Sequence, residues 1–240
     1  MPKMMDDLPI IGGSFNFSAV RPEELCATEY TLVTIVVDIS GSVHIFSAEL
    51  LETVKTAINS CKKSPRAENL LIRLVTFNKE IYEVHGFILL NDINVDDYQD
   101  LNCFNLTSLY DATYESIGAT LSYSKNLISQ DFDVNGIVFI ITDGMDVSST
   151  YTPSAVKDLM ELAINGEEIE SLITVLIGIN ASNCSSELNK FKNESNLTQY
   201  VDVGEATDQK LAKLAAFVSK SVNSQSQSLG TGGPSQQLTF

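Results

Sequence analysis

Four short stretches, 31–38, 70–77, 136–142 and 171–179, are nearly continuous in Val, Ile and Leu. Runs of that length without polar alternation suit parallel strands covered on both faces. A fifth stretch, 79–87, has a looser pattern and follows 70–77 across Asn78-Lys79. That short connection predicts a hairpin and an antiparallel strand on the sheet edge. A last strand is expected over 199–203. Between the strands the apolar spacing changes to three and four residues. Leu50, Leu51, Val54, Ala57, Ile58 and Cys61 place one face of a helix over 47–62, which Ser64-Pro65 ends. A long helix is expected over 109–128, with Ala112, Ile117, Leu121 and Ile128 available for burial and Thr107 or Ser108 placed to cap it. Pro153 opens a helix that Gly166 closes, a short helix covers 185–192, and 207–222 is amphipathic with Thr207 and Asp208 at its capping end.

Strands alternating with helices through short links predict an α/β fold, doubly wound, with a mostly parallel six-stranded sheet and helices on both faces. Numbered along the chain, the strands are expected in the order 3-2-1-4-5-6, with strand 3 antiparallel at an edge. This domain occupies 31–222. Residues 1–30 have no sustained period and carry Gly12-Gly13 and Pro22, so they read as an N-terminal arm with room for one short strand over 14–19. From 223 to 240 the composition shifts to Ser, Gln and Gly, the signature of a flexible tail, although Leu238-Thr239-Phe240 could dock.

The chain has 240 residues, a hydrophobic fraction of 44% and a formal net charge of −16. The apolar content supports a sizeable core, and the charge argues against nucleic acid or an anionic membrane surface as partner. Cys26, Cys61, Cys103 and Cys184 form no C-x-x-C pair, so neither a zinc ribbon nor a dithiol redox site is suggested. Acidic residues stand where a signal peptide has a basic region, and no run approaches the ~18 apolar residues of a membrane span. A cytoplasmic location with reduced thiols is the expectation.

Candidate chemistry gathers at strand ends. The first apolar strand ends in Asp38-Ile39-Ser40-Gly41-Ser42, a carboxylate and two hydroxyls. Ligands of doubly wound sheets bind beyond the carboxyl ends of the strands, at the switch point beside the first strand. The strand next to it ends in Thr142-Asp143-Gly144, and Thr107 lies in the loop before the helix that leads there. Asp38, Ser40, Ser42, Thr107 and Asp143 supply oxygen only, which suits Mg2+ or Mn2+ and leaves at least one coordination position open. Asp111 and Asp146 read as neighbours or caps, and His44 as a surface or rim residue. Asp92-x-Asn94-x-Asp96 has the spacing of a calcium loop but fails at Asp97, where glycine is needed, and at Cys103, where a bidentate Glu is needed.

The D-x-S-x-S element at Asp38, Ser40 and Ser42, with Thr107 and Asp143, resembles the metal-ion-dependent adhesion site (MIDAS) of von Willebrand factor A domains, over roughly 31–222. By that resemblance Ser40, Ser42 and Thr107 would contact the metal, and Asp38 and Asp143 would act directly or through water. Thr107-Ser108-Leu109-Tyr110-Asp111-Ala112 is similar to the second loop of many bacterial members. The polar ending resembles that of TerY-like proteins of bacterial tellurite-resistance and stress-response systems, which implies kinase and phosphatase partners.

The expected function is a metal-dependent protein–protein interaction module in which the ion takes a carboxylate from a partner. A phosphohydrolase that uses Asp38 as nucleophile is the enzyme alternative. Such a site usually places a second acid two residues on, and Ser40 cannot protonate a leaving group efficiently, so no turnover is expected. No G-x-x-x-x-G-K-S/T loop, H-E-x-x-H pair or G-x-S-x-G elbow is present. An assembly or adhesion subunit of a phage or surface complex is the third reading.

Overall fold

The four apolar runs become neighbouring strands. In the computed structural model, which describes residues 4–13, 15–166 and 168–240, the strands are β1 (Met5–Pro9), β2 (Asn16–Val20), β3 (Glu29–Asp38), β4 (Leu70–Phe77), β5 (Ile81–Leu89), β6 (Asp133–Thr142), β7 (Leu172–Ile179) and β8 (Gln199–Gly204). The helices are α1 (Ser47–Cys61), α2 (Leu109–Ile128), α3 (Pro153–Asn165), α4 (Ser185–Glu194) and α5 (Asp208–Thr231). One mixed sheet has the order β1-β2-β5-β4-β3-β6-β7-β8. β3 is central and pairs in parallel with β4 and β6. Its side chains divide between two layers, as a strand covered on both faces requires. Val33, Ile35 and Val37 pack with α1 and α5, while Val36 joins the layer under α2, α3 and α4. No described helix is long and apolar enough to cross a membrane.

The sheet has eight strands rather than the six expected. The stretch from β5 through β8 follows the expected order, but β5 is not an edge, because β2 pairs with it in parallel at Ala19↔Phe87 and β1 closes the row. Residues counted as an arm therefore form a hairpin on the sheet; Ser14, where the short strand was expected to start, lies outside the described residues. Polar bonds hold it. Glu83 accepts hydrogen bonds from the Ser18 amide at 2.9 Å and the Ser18 hydroxyl at 2.6 Å. Its other carboxylate oxygen pairs with buried Arg73 at 2.8 Å, and the guanidinium lies over the Phe17 ring. Phe17, Phe87 and Tyr123 form an aromatic cluster beneath the hairpin, and the Tyr123 hydroxyl donates to the Val20 carbonyl at 2.6 Å.

The last helix also runs past its expected end at residue 222, to Thr231, where Gly232 adopts φ +64° and closes it. The Ser/Gln composition hides a buried polar network. Asn135 donates to the Gln225 carbonyl at 2.8 Å, and the Gln225 amide donates to the Gly136 carbonyl and the Ser171 hydroxyl at 3.2 and 3.0 Å. Beyond the helix, Leu238 and Phe240 pack against the α1/α5 layer, with the Lys213 ammonium 4.4 Å from the Phe240 ring centre. His85 is stacked on Tyr98 and bonded to its hydroxyl at 2.8 Å.

Gly86 sets how closely the hairpin can approach. A Cβ on it would stand 1.7 Å from the Ser18 carbonyl oxygen, a backbone atom that cannot turn aside. Gly86→Ala is expected to destabilise the chain by about 1–3 kcal/mol in denaturant unfolding, with the earliest loss of amide protection in β1 and β2. Unchanged protection there would refute the close-approach account.

Candidate metal-binding site

Asp38 is the last residue of β3, with 0% of its surface exposed. A buried carboxylate needs partners for both oxygens. One accepts the Ser40 amide at 2.7 Å and the other the Thr142 hydroxyl at 2.7 Å. The second bond follows from register: Val37 pairs with Ile141, so Asp38 and Thr142 end neighbouring strands side by side. From Asp38 the chain turns through Ser40, which is extended, into a short 3-10 helix, Gly41–Phe46, and then into α1. The turn brings the Ser40 and Ser42 hydroxyls within 3.3 Å of each other. The Ser42 hydroxyl donates to an Asp143 carboxylate oxygen at 2.9 Å. Asp38, Ser40, Ser42 and Asp143 thus form one connected group of oxygens.

Thr107 is brought to the same end of the sheet through its backbone. The Gly41 amide donates to the Asn105 carbonyl at 3.1 Å, and the Phe104 amide to the Ile39 carbonyl at 3.0 Å, so 104–105 lies against the Asp38 loop. The Thr107 carbonyl accepts from the amides of Val147 and Ser148 at 2.9 and 3.1 Å. Three loops are tied to one another. Asn105 reaches its place with φ +67°, in the left-handed region that asparagine tolerates better than most residues.

Asp111 and Asp146 act as caps across these loops. The Asp146 carboxylate accepts from the Tyr110 amide at 3.2 Å and Ser149 accepts from the Asp111 amide at 3.0 Å, which satisfies the first turn of α2. Asp111 in turn accepts from the amides of Thr150 and Tyr151 at 2.9 and 2.7 Å. Ser108, expected as a cap, precedes α2 but makes no capping bond; its hydroxyl bonds instead to the Lys79 carbonyl and to Ser148. Tertiary contact supplies the cap that a local side chain was expected to supply. Thr142 is the residue whose role the sequence reading missed. A hydroxyl at the end of an apolar strand next to Asp38 was the available signal.

Burial pushes the Asp38 carboxyl up to about 6, against lowering by the bonds from Thr142 and Ser40, with Asp143 adding a smaller upward push. Burial raises Asp143 as well, opposed by the bond from Ser42. Among the described residues no Lys, Arg or His side chain is among the groups shifting either carboxyl. Two desolvated carboxylates beside hydroxyls fit a hard cation, which would remove the cost of their burial. Among the described residues no three His, Cys, Asp or Glu side chains cluster as a metal site. A cation here would therefore be held by carboxylates and hydroxyls together.

No protein-family model matches the sequence, and no curated protein matches it. Solved structures do match in fold. The PilB minor pilin from Streptococcus sanguinis superposes with a TM-score of 0.60 at 15% identity, over 90% of this chain and 66% of the pilin. Proximal thread matrix protein 1 from the mussel byssus, solved with a zinc-occupied MIDAS motif, gives 0.57 at 15% over 81% of this chain and 48% of that one. The pilus adhesin SpaC from Lactobacillus rhamnosus GG, in its open conformation, gives 0.57 at 11% over 83% of this chain and 31% of that one. At such identities the likeness is one of fold, a von Willebrand factor A-like α/β fold. The chain spans less than half the length of the byssus protein and of SpaC.

The buried carboxylate has a consequence for stability. Asp38 holds its proton up to about 6 in the folded chain, above its ordinary 3.8. The folded state then binds more protons between those values, so this contribution is full below about pH 4 and is lost as pH rises through about 6. In chelator, wild type is expected to lose on the order of 3 kcal/mol relative to Asp38→Asn between about pH 4 and 7. Saturating Mg2+ should reverse the trend, because a cation binds the ionised form. Denaturant unfolding of both chains across pH measures this; a stability difference between wild type and Asp38→Asn that does not change between about pH 4 and 7 in chelator would contradict it.

Proposed function

We propose that the chain is a metal-dependent protein-interaction module. Asp38, Ser40, Ser42, Thr107 and Asp143 would hold a Mg2+ or Mn2+ ion, and an Asp or Glu of a partner protein would complete its coordination. The observation that carries this reading is the group of oxygens at the ends of β3 and β6, in which the desolvated Asp38 and Asp143 carboxyls sit with the Ser40 and Ser42 hydroxyls. When bound, the ion supplies an electrophilic position for an outside carboxylate. The chain's own residues do the rest. Thr142 and the Ser40 amide orient Asp38, Ser42 orients Asp143, and the neutral hydroxyls leave positive charge on the ion for the partner.

We also propose that Asp38 does no catalysis. Both its oxygens accept hydrogen bonds in a fully buried position, and Ser40 stands where a general acid would be needed. Metal-dependent phosphoester hydrolysis that Asp38→Asn abolishes would restore the phosphohydrolase reading.

For the setting, we infer a cytoplasmic, bacterial signalling or stress-response complex of the TerY-like kind, with kinase and phosphatase partners. Support comes from the resemblance of Thr107 to Ala112 to bacterial members, of the chain's size and its ending Phe217 to Ser226 to TerY-like proteins, and from four free cysteines among the described residues. The second reading, an assembly or adhesion subunit, is favoured by the pilin and pilus-adhesin folds that the chain resembles.

Metal binding tests the core of this. Mn2+ titration followed by the spin resonance of the free ion is expected to show one site, weakened about ten-fold or more by Asp143→Ala or Ser42→Ala. Capture from the native host with wild type and Asp38→Ala, each in Mg2+ and in chelator, reads the partner. The same proteins recovered in all four samples would overturn the metal-bridged model.

A further inference from the structure

The loops that carry the proposed ligands also carry exposed apolar side chains. Among the described residues ten large hydrophobic side chains are exposed, and five of them, Ile45, Phe104, Leu106, Met145 and Val147, lie on these loops. Ile45, 88% exposed, follows Ser42 by three positions; Leu106 is next to Thr107; Met145 follows Asp143 by two. Isolated exposed hydrophobics are ordinary, but a concentration on three loops is not. The loops are bonded together through Gly41 and Asn105, Ile39 and Phe104, Thr107 and Val147, and Ser42 and Asp143. The loops that carry these apolar side chains therefore lie together at one end of the sheet.

The apolar character continues away from the ligands. Phe104 borders a groove of about 520 Å3 walled mainly by apolar side chains such as Ile39, Leu51, Val54 and Leu74, with Asp97 and Asp100 also in its lining. The loops 39–46, 102–108 and 143–149 contain no Lys or Arg, and their acids are Asp143 and Asp146. On a chain of net charge −16 this face would repel an acidic surface apart from the one carboxylate that a metal could match. Further binding energy has to come from apolar contact.

We propose that the partner presents a single Asp or Glu bracketed by large apolar side chains, which Ile45, Leu106, Met145, Val147 and Phe104 receive around the metal. The inference rests on the metal-site reading above and adds what the partner's carboxylate must be embedded in. Burial of a carboxylate–metal contact inside an apolar ring also excludes water from it, as the rim of an interface hot spot does.

Two simple carboxylates test the inference. Acetate and octanoate share the carboxylate, and octanoate adds six methylenes, each worth about four-fold in affinity if fully buried. With the full chain loaded with Mn2+, paramagnetic broadening of the ligand resonances gives both affinities in the same sample. Octanoate is expected to bind about ten-fold or more tightly than acetate. In an Ile45→Ser, Met145→Ser, Val147→Ser chain the ratio between the two should fall toward one; because acetate is the internal reference, a partly misfolded sample does not mimic that change. Equal affinities in wild type, with acetate bound, overturn this inference and leave the metal reading standing. Failure of acetate to bind overturns both. Saturation-transfer signals of octanoate that are the same in Mg2+ and in chelator also overturn it, because the apolar face would then bind without the metal.

Discussion

The end of β3 is governed by one constraint, a carboxylate with no exposure to water. Asp38 can occupy that position because the Ser40 amide and the Thr142 hydroxyl each supply a hydrogen bond. Those two bonds join the end of one strand to its own loop and to the neighbouring strand. They satisfy the oxygens but not the charge. A buried charge without a partner is costly, and structures keep one only when something else repays it. Here the cost falls where three loops meet, and Ser42 carries the arrangement on to Asp143.

Around that group the backbone provides most of the organisation. Gly41 to Asn105, Phe104 to Ile39, and Val147 and Ser148 to Thr107 are main-chain bonds between segments far apart in sequence. Asp146 and Ser149 then finish the first turn of α2, so the loop after β6 also fixes the start of the helix that precedes it. On these loops Ile45, Leu106, Met145 and Val147 are exposed, whereas Ser40 and Thr107 are buried.

The two ends of the chain serve the sheet. β1 and β2 cover the side of β5, where an exposed edge would invite pairing with another chain. Arg73 and Glu83 anchor that cover through Ser18, and Gly86 allows the backbones to meet. At the other end, Gln225 ties α5 to Gly136 and Ser171 near the start of β6 and β7. Both devices join residues far apart in sequence, which is why neither is legible as a local hydrophobic period.

What the amino-acid sequence determined by itself was the set of central strands, their helices and the residues at the strand ends. Runs such as Val33 to Val37 and Ile137 to Ile141 can be covered only on two faces, and that requirement orders β3 and its neighbours. The D-x-S-x-S turn was legible because strand and loop chemistry are local there. Tertiary structure decided the rest. Thr142 acquires its role only once β6 lies beside β3 in register, and Asp146 caps α2 only after its loop folds back. The hairpin of β1 and β2 depends on one parallel contact, on packing of Phe17 against Phe87 and Tyr123, and on part-buried polar bonds across more than sixty residues, between Ser18 and Glu83. Such interactions join side chains whose proximity no local pattern encodes, so they appear only when the chain has closed on itself.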